Sequence, residues 1–105
     1  MARYKERTIR IGNIAQEVVA VRVYHKPDDG EPLTYNDPYT EMALPGAGDT
    51  CDIMIPGDVP ALQGADGTWR IGSTVLDEFG NEDDIVEYVG PFDFCPPPQH
   101  TMEVI

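Results

Sequence analysis

Positive charge is scarce in this chain: seven Lys and Arg stand against nineteen Asp and Glu, for a net charge of −12 over 105 residues. Phosphate backbones demand clustered Lys and Arg, so this balance excludes nucleic acid as a partner. The few basic residues are also unevenly spread. Arg3, Lys5, Arg7, Arg10, Arg22 and Lys26 come early and only Arg70 follows, whereas every acidic residue except Glu6 and Glu17 lies beyond Lys26. The pattern reads as an acidic, solvated surface with a basic N-terminal segment able to pack on acidic surface, its own or a neighbour's. No run approaches the roughly 18 apolar residues of a membrane span. The first seven residues, Met1 to Arg7, lack the apolar core of a signal peptide. A soluble chain is expected, cytoplasmic or a fragment of an exported protein.

Other absences narrow the chemistry. Two cysteines, Cys51 and Cys95, are too few for a disulfide scaffold and lack zinc spacing. No segment holds a 3.6-residue apolar period for three turns, which excludes a long helix. No glycine-rich loop leads from a strand into a helix, so no nucleotide site is expected. His25 stands alone on a strand and His100 lies near the end, with no Ser or Cys motif beside either. The expectation is a protein that is not an enzyme and needs no cofactor.

What the chain does have is alternation. Thr8-Ile9-Arg10-Ile11, Val18 to His25, Cys51 to Ile55 and Trp69 to Leu76 each alternate apolar and polar residues between turn signals. Thr40 to Leu44 reads as a short edge strand closed by Pro45-Gly46, and the last strand, Ile85 to Val89 with Phe92 to Phe94, is broken by Gly90-Pro91. At 41% hydrophobic, with ten Pro and ten Gly, these short strands predict a single all-β domain, a two-layer sandwich or a barrel. Ile9, Ile11, Val19, Val21, Val23, Ile53, Ile55, Trp69, Ile71 and Val75 share the inward faces and are the predicted core. Pro96-Pro97-Pro98 is a stiff spacer, and it divides a domain over 1–95 from a strand-like tail, Thr101-Met102-Glu103-Val104-Ile105.

Trp69, Ile71, Val75, Asp77, Gly80, Asn81 and Glu82 lie in the run GTWRIGSTVLDEFGNEDD, Gly67 to Asp84, which resembles the late part of a bacterial fibronectin type III domain. Val18 to Tyr24, VVAVRVY, is similar to that family's third strand. Asp83 departs from the family's usual Ser. The resemblance implies an immunoglobulin-like β-sandwich in which Thr8 to Ile14 is the second strand, leaving little room for a first, so that the outer edge of that strand is expected to carry unpaired N–H and C=O groups. It also implies that Cys51 and Cys95 stand at opposite ends, beyond the roughly 7 Å Cα limit for a bridge, so two free thiols are expected. In tandem arrays of this family a Pro-rich joint leads into the next domain's first strand, which the tail residues Thr101, Met102, Glu103, Val104 and Ile105 resemble.

The function implied is a non-catalytic structural or binding module for a protein or carbohydrate partner, able to form a homodimer by strand exchange. Tyr35 and Tyr39 in a loop and Phe79 at a turn tip are the contact candidates, since exposed aromatics stack on sugars or anchor proteins. The competing expectation is calcium held by two acidic turns, Asp28, Asp29 and Glu31 in one and Glu82, Asp83 and Asp84 in the other. Calcium takes six to eight oxygens from converging loops, but neither run has EF-hand spacing, and such residues also cap turns by bonding their own backbone.

Overall fold

The computed structural model describes residues 5–44, 49–88 and 90–105. Arg3, the expected Pro45-Gly46 turn and Val89 lie outside them. Among the described residues seven strands form, close to the positions the sequence predicts: β1 (Arg7–Ile11), β2 (Val18–Pro27), β3 (Tyr39–Ala43), β4 (Cys51–Ile55), β5 (Thr68–Asp77), β6 (Val86–Glu87) and β7 (Phe92–Asp93). Antiparallel β1 and β4 make one sheet, with Ile9 opposite Ile53. The other sheet runs β3-β2-β5-β6, and β7 pairs with the beginning of β5. β6 and β7 are thus two pieces of one strand, separated by Gly90 at φ 78° and by Pro91, which has no N–H to give a ladder.

The two sheets pack as a β-sandwich, and the core sits between them. Val21, Val23 and Ile71 point in from the larger sheet, and Cys51, Ile53 and Ile55 from the smaller. A loop that sequence periodicity leaves unassigned closes the core. Its 3-10 helix, Pro60–Leu62, brings Val59 and Leu62 into full burial, and the Leu62 N–H donates to the Val59 carbonyl at 2.9 Å. Phe92 and Phe94 join the core from β7 and the residues after it, near the beginning of β5. Both cysteines are free, Cys51 buried and Cys95 partly so.

Five of the predicted core positions need correction: Ile9, Ile11 and Val75 are only partly buried, as are Trp69 and, least of all, Val19. Val19 is 48% exposed, because the β2–β5 register slips between Val18 and Ala20. A bulge of one residue reverses the facing of the side chain it inserts, so the alternation of Val19 with Val21 and Val23 is broken there. Trp69 is only half-buried. It packs on the rim of the core, with its ring 6.1 Å from that of His25 and its indole N–H donating to the Asp66 carbonyl at 3.0 Å. His25, on the inward face of β2, is buried, and burial lowers its pKa.

The outward face of the larger sheet is covered too. At Gly72 on β5, a Cβ would meet Leu33 Cδ1 at 2.8 Å and Ile85 Cγ2 at 2.9 Å, so two loops cross the sheet where it has no side chain. Gly72→Ala should lower stability by about 1–3 kcal/mol through overpacking. Ile53→Ala, which empties a fully buried site, should cost about 2–5 kcal/mol, and Val19→Ala less than about 0.5 kcal/mol as an exposed change. Denaturant midpoints of the three variants check this ranking.

Candidate functional site

The motif Asp77–Glu82 has a physical reading in the turn after β5. Asp77 Oδ1 accepts the N–H groups of Phe79 and Asn81, both at 2.9 Å, and Oδ2 accepts the Asn81 side-chain amide at 2.9 Å. These bonds, led by the one from the Asn81 side chain, hold the Asp77 carboxyl below the usual carboxylate range. Gly80, at φ 84°, supplies the left-handed step that reverses the chain. The turn then delivers Glu82 onto the outward face of β2 and β5. There Tyr24 and Thr74 hydroxyls each donate to Oε2 at 2.5 Å, and Arg22 Nη1 donates to Oε1 at 2.9 Å.

Burial pushes the Glu82 carboxyl up, but the bonds from Thr74, Tyr24 and Arg22 outweigh it and hold the pKa below the ordinary value. Arg22 also reaches Glu41 at 2.8 Å and lies 4.3 Å from the Tyr39 ring centroid. The cluster is saturated: each charge has a partner and Glu82 accepts three bonds. Its form is that of a cross-strand clamp tying β2, β3, β5 and the turn together.

Tyr35 and Tyr39 are brought to this same face, on either side of Tyr24, with ring centroids 6.2 Å and 5.2 Å from it. Both are half-exposed, and the Tyr35 hydroxyl is already engaged, donating to the Asp83 carbonyl at 2.7 Å. Phe79 is not with them. It is 82% exposed at the tip of the turn beyond β5, while Tyr24 pairs far back along that strand, opposite Gly72.

The acidic residues are likewise occupied. Asp28 accepts the Gly30 N–H and Arg70, Asp29 accepts the Glu31 N–H and pairs with Lys26, and Asp83 accepts the Val75 N–H. Arg70 further bridges to Glu87, whose carboxylate also accepts the Leu33 N–H. Among the described residues, no three His, Cys, Asp or Glu side chains converge as metal ligands. Asp28, Asp29 and Asp83 accept backbone N–H groups, Glu82 serves the clamp, and Glu31 and Asp84 are exposed.

An open feature lies between the two sheets along the outer edge of β1; the bare edge was expected from the sequence, and the apolar cleft beside it was not. The larger sheet is wider than the two-stranded sheet opposite it. Ser73 pairs with Val86, so Val86 faces inward, yet Val86 is 64% exposed and Tyr88, whose ring stacks 6.0 Å from that of Phe92, is 58% exposed. Across the gap, β1 bonds only to β4 among the described residues, leaving its other edge with free N–H and C=O groups. The result is a seam of about 220 Å³ whose apolar lining includes Ile9, Ile11, Val75, Val86 and Tyr88. Its floor reaches the core at Val23, Ile53 and Ile71. Ile9, Ile11 and Val75 are only partly buried for this reason. A sequence signal exists in hindsight: Val86 and Tyr88 flank Glu87 at the two-residue spacing of an inward face, on a strand with no matching partner opposite.

No protein-family model matches the chain, and comparison with curated proteins and with solved structures finds no match either. Among the described residues no helix is long and apolar enough to cross a membrane. The fold and this geometry therefore define the chain as a two-layer β-sandwich with one seam left open.

The clamp makes a pH prediction. A carboxyl whose folded pKa is depressed adds stability above the unfolded value, about 4.3 for Glu, and loses it as pH falls through the folded pKa. Glu82→Gln should therefore cost about 1–3 kcal/mol at neutral pH. The gap between variant and parent should narrow steadily as pH drops below about 4, which denaturation across a pH series will show.

Proposed function

We propose that the chain is a non-catalytic binding module, of the fibronectin type III kind, that takes an extended segment of a partner polypeptide into its open seam. The single observation that carries this reading is the coincidence of two unsatisfied features at one place. The free backbone edge of β1 offers a row of hydrogen-bond donors and acceptors, and the apolar lining from Ile9 to Tyr88 offers sites for alternate side chains. Strand addition uses this pair: main-chain bonds supply affinity, and the pockets between them supply specificity. The fibronectin assignment is supported by the strand order β1-β4 against β3-β2-β5-β6 and by the Asp77–Glu82 turn.

A polypeptide is favoured over a carbohydrate as partner. Tyr35 and Tyr39 are packed edge-on or tilted against Tyr24 rather than presented as a flat platform, and the acidic turns spend their oxygens on the chain's own N–H groups. The test uses a ten-residue peptide with the sequence of residues 96–105, carrying a nitroxide at its N-terminus and added in excess to the full chain. Amide signals of Arg7–Ile11 and of Val86 to Tyr88 should broaden, while those around Tyr35 and Tyr39 stay sharp. Broadening at the tyrosine face instead, or none anywhere, would overturn the reading.

A further inference from the structure

We infer that the seam's occupant is the tail of a second copy of this chain, exchanged reciprocally so that two chains complete each other. This inference rests on the seam being a strand acceptor and adds the identity of the donor. Residues 96–105 are wholly or largely exposed and form no strand: Met102 is 89% exposed, Val104 96% and Ile105 110%. An alternating segment left bare in this way is matched to the acceptor. Its five residues, Thr101 to Ile105, equal the length of β1, Arg7–Ile11. If Met102 and Val104 turn toward Ile9, Ile11, Val86 and Tyr88, then Glu103 falls on the opposite side of the new strand. That is the side on which β1 presents Arg10, which faces away from the core and bonds Asp52 at 2.7 Å on its other flank. A strand beside β1 would thus set Glu103 near a cation in an otherwise acidic molecule.

The donor is a second chain rather than the same one because of the direction in which the tail leaves. β7 runs antiparallel to β5 and pairs Asp93 with Thr68, the first residue of β5, so the chain exits past that end of the sheet. The seam lies back along β5, beside Ser73 and Val75. Between them stand Pro96, Pro97 and Pro98, which favour an extended path of about 3.1 Å per residue and resist the immediate reversal that self-docking needs. The molecule is correspondingly long: its radius of gyration is 16.2 Å and its longest extent 64 Å, against roughly 13 Å expected for a compact domain of this size. Each chain carries one donor and one acceptor, so a two-fold exchange satisfies both and closes the assembly.

Light scattering on the full chain tests the pairing. The parent should have twice the 11.6 kDa mass of one chain, and Val104→Arg, at a fully exposed position, should return it to 11.6 kDa with an unchanged near-ultraviolet circular dichroism spectrum. Val86→Arg should do the same from the acceptor side, and Phe79→Arg should leave the doubled mass intact. Mixing the Val104→Arg and Val86→Arg chains leaves one good tail and one good seam, and should restore a pair that neither variant forms alone. A parent that stays monomeric up to millimolar concentration overturns the inference, as does a pair that survives Val104→Arg or a mixture that stays monomeric. Because the spin-labelled peptide reports on the seam independently, a monomeric parent whose seam still binds that peptide would reject the second copy as donor and leave the acceptor reading standing.

Discussion

Backbone groups in a sheet must be paired, and apolar surface on a sheet's inner face must be covered. In this sandwich neither demand is met along one line, where a larger sheet overhangs a two-stranded one. The partial burial of Ile9, Ile11 and Val75 follows from that mismatch, as does the exposure of the inward-facing Val86 and Tyr88. Farther along the same edge of β5 the gap is closed. There Phe92, its ring stacked 6.0 Å from that of Tyr88, and Phe94 join Val59 and Leu62 in the core.

The outward face of the larger sheet carries a contrasting solution. Beside the apolar cover of Leu33 and Ile85 over Gly72 it holds a largely buried carboxylate, Glu82, with three donors. A buried charge is tolerable only when paired and hydrogen-bonded. Here Asp77 and Gly80 shape the turn that delivers it. The tyrosines beside it are best understood through this clamp, since Tyr24 donates to Glu82, Tyr35 secures the Asp83 carbonyl and Tyr39 lies beneath Arg22. With Arg22 shared between Glu41 and Glu82 and the Tyr24, Tyr35 and Thr74 hydroxyls engaged, this face braces the sheet, whereas the seam leaves apolar surface bare.

Much of this was legible before the structure. Period-two alternation located β1, β2, β4 and β5 within a residue or two, because apolar side chains recur on the face each turns toward the opposite sheet. Gly90-Pro91 announced the break between β6 and β7, since proline cannot donate to a ladder. The turn motif announced Asp77, Gly80, Asn81 and Glu82, though with Glu82 weighed as a metal ligand as well. What escaped depends on long-range register. The slip that turns Val19 outward is set by pairing with β5, not by anything local. Val59 and Leu62 were hidden in a Pro- and Gly-rich loop, where three-residue spacing is too short to signal a helix. An unpaired outer edge on β1 was expected, but the apolar cleft beside it escaped, because it arises from the unequal widths of two sheets that are assembled from distant segments.

The central claim is that the free edge of β1 is an acceptor completed by a strand from another copy. Amide hydrogen exchange along Arg7–Ile11, followed as a function of protein concentration, addresses it at the atoms concerned. The N–H groups of β1 that do not bond β4 should become more protected as concentration rises, together with those of Met102 to Val104, while Ile53 and Ile71 in the core stay constant. Fast exchange at those β1 amides, unchanged from dilute to concentrated solution, would contradict it.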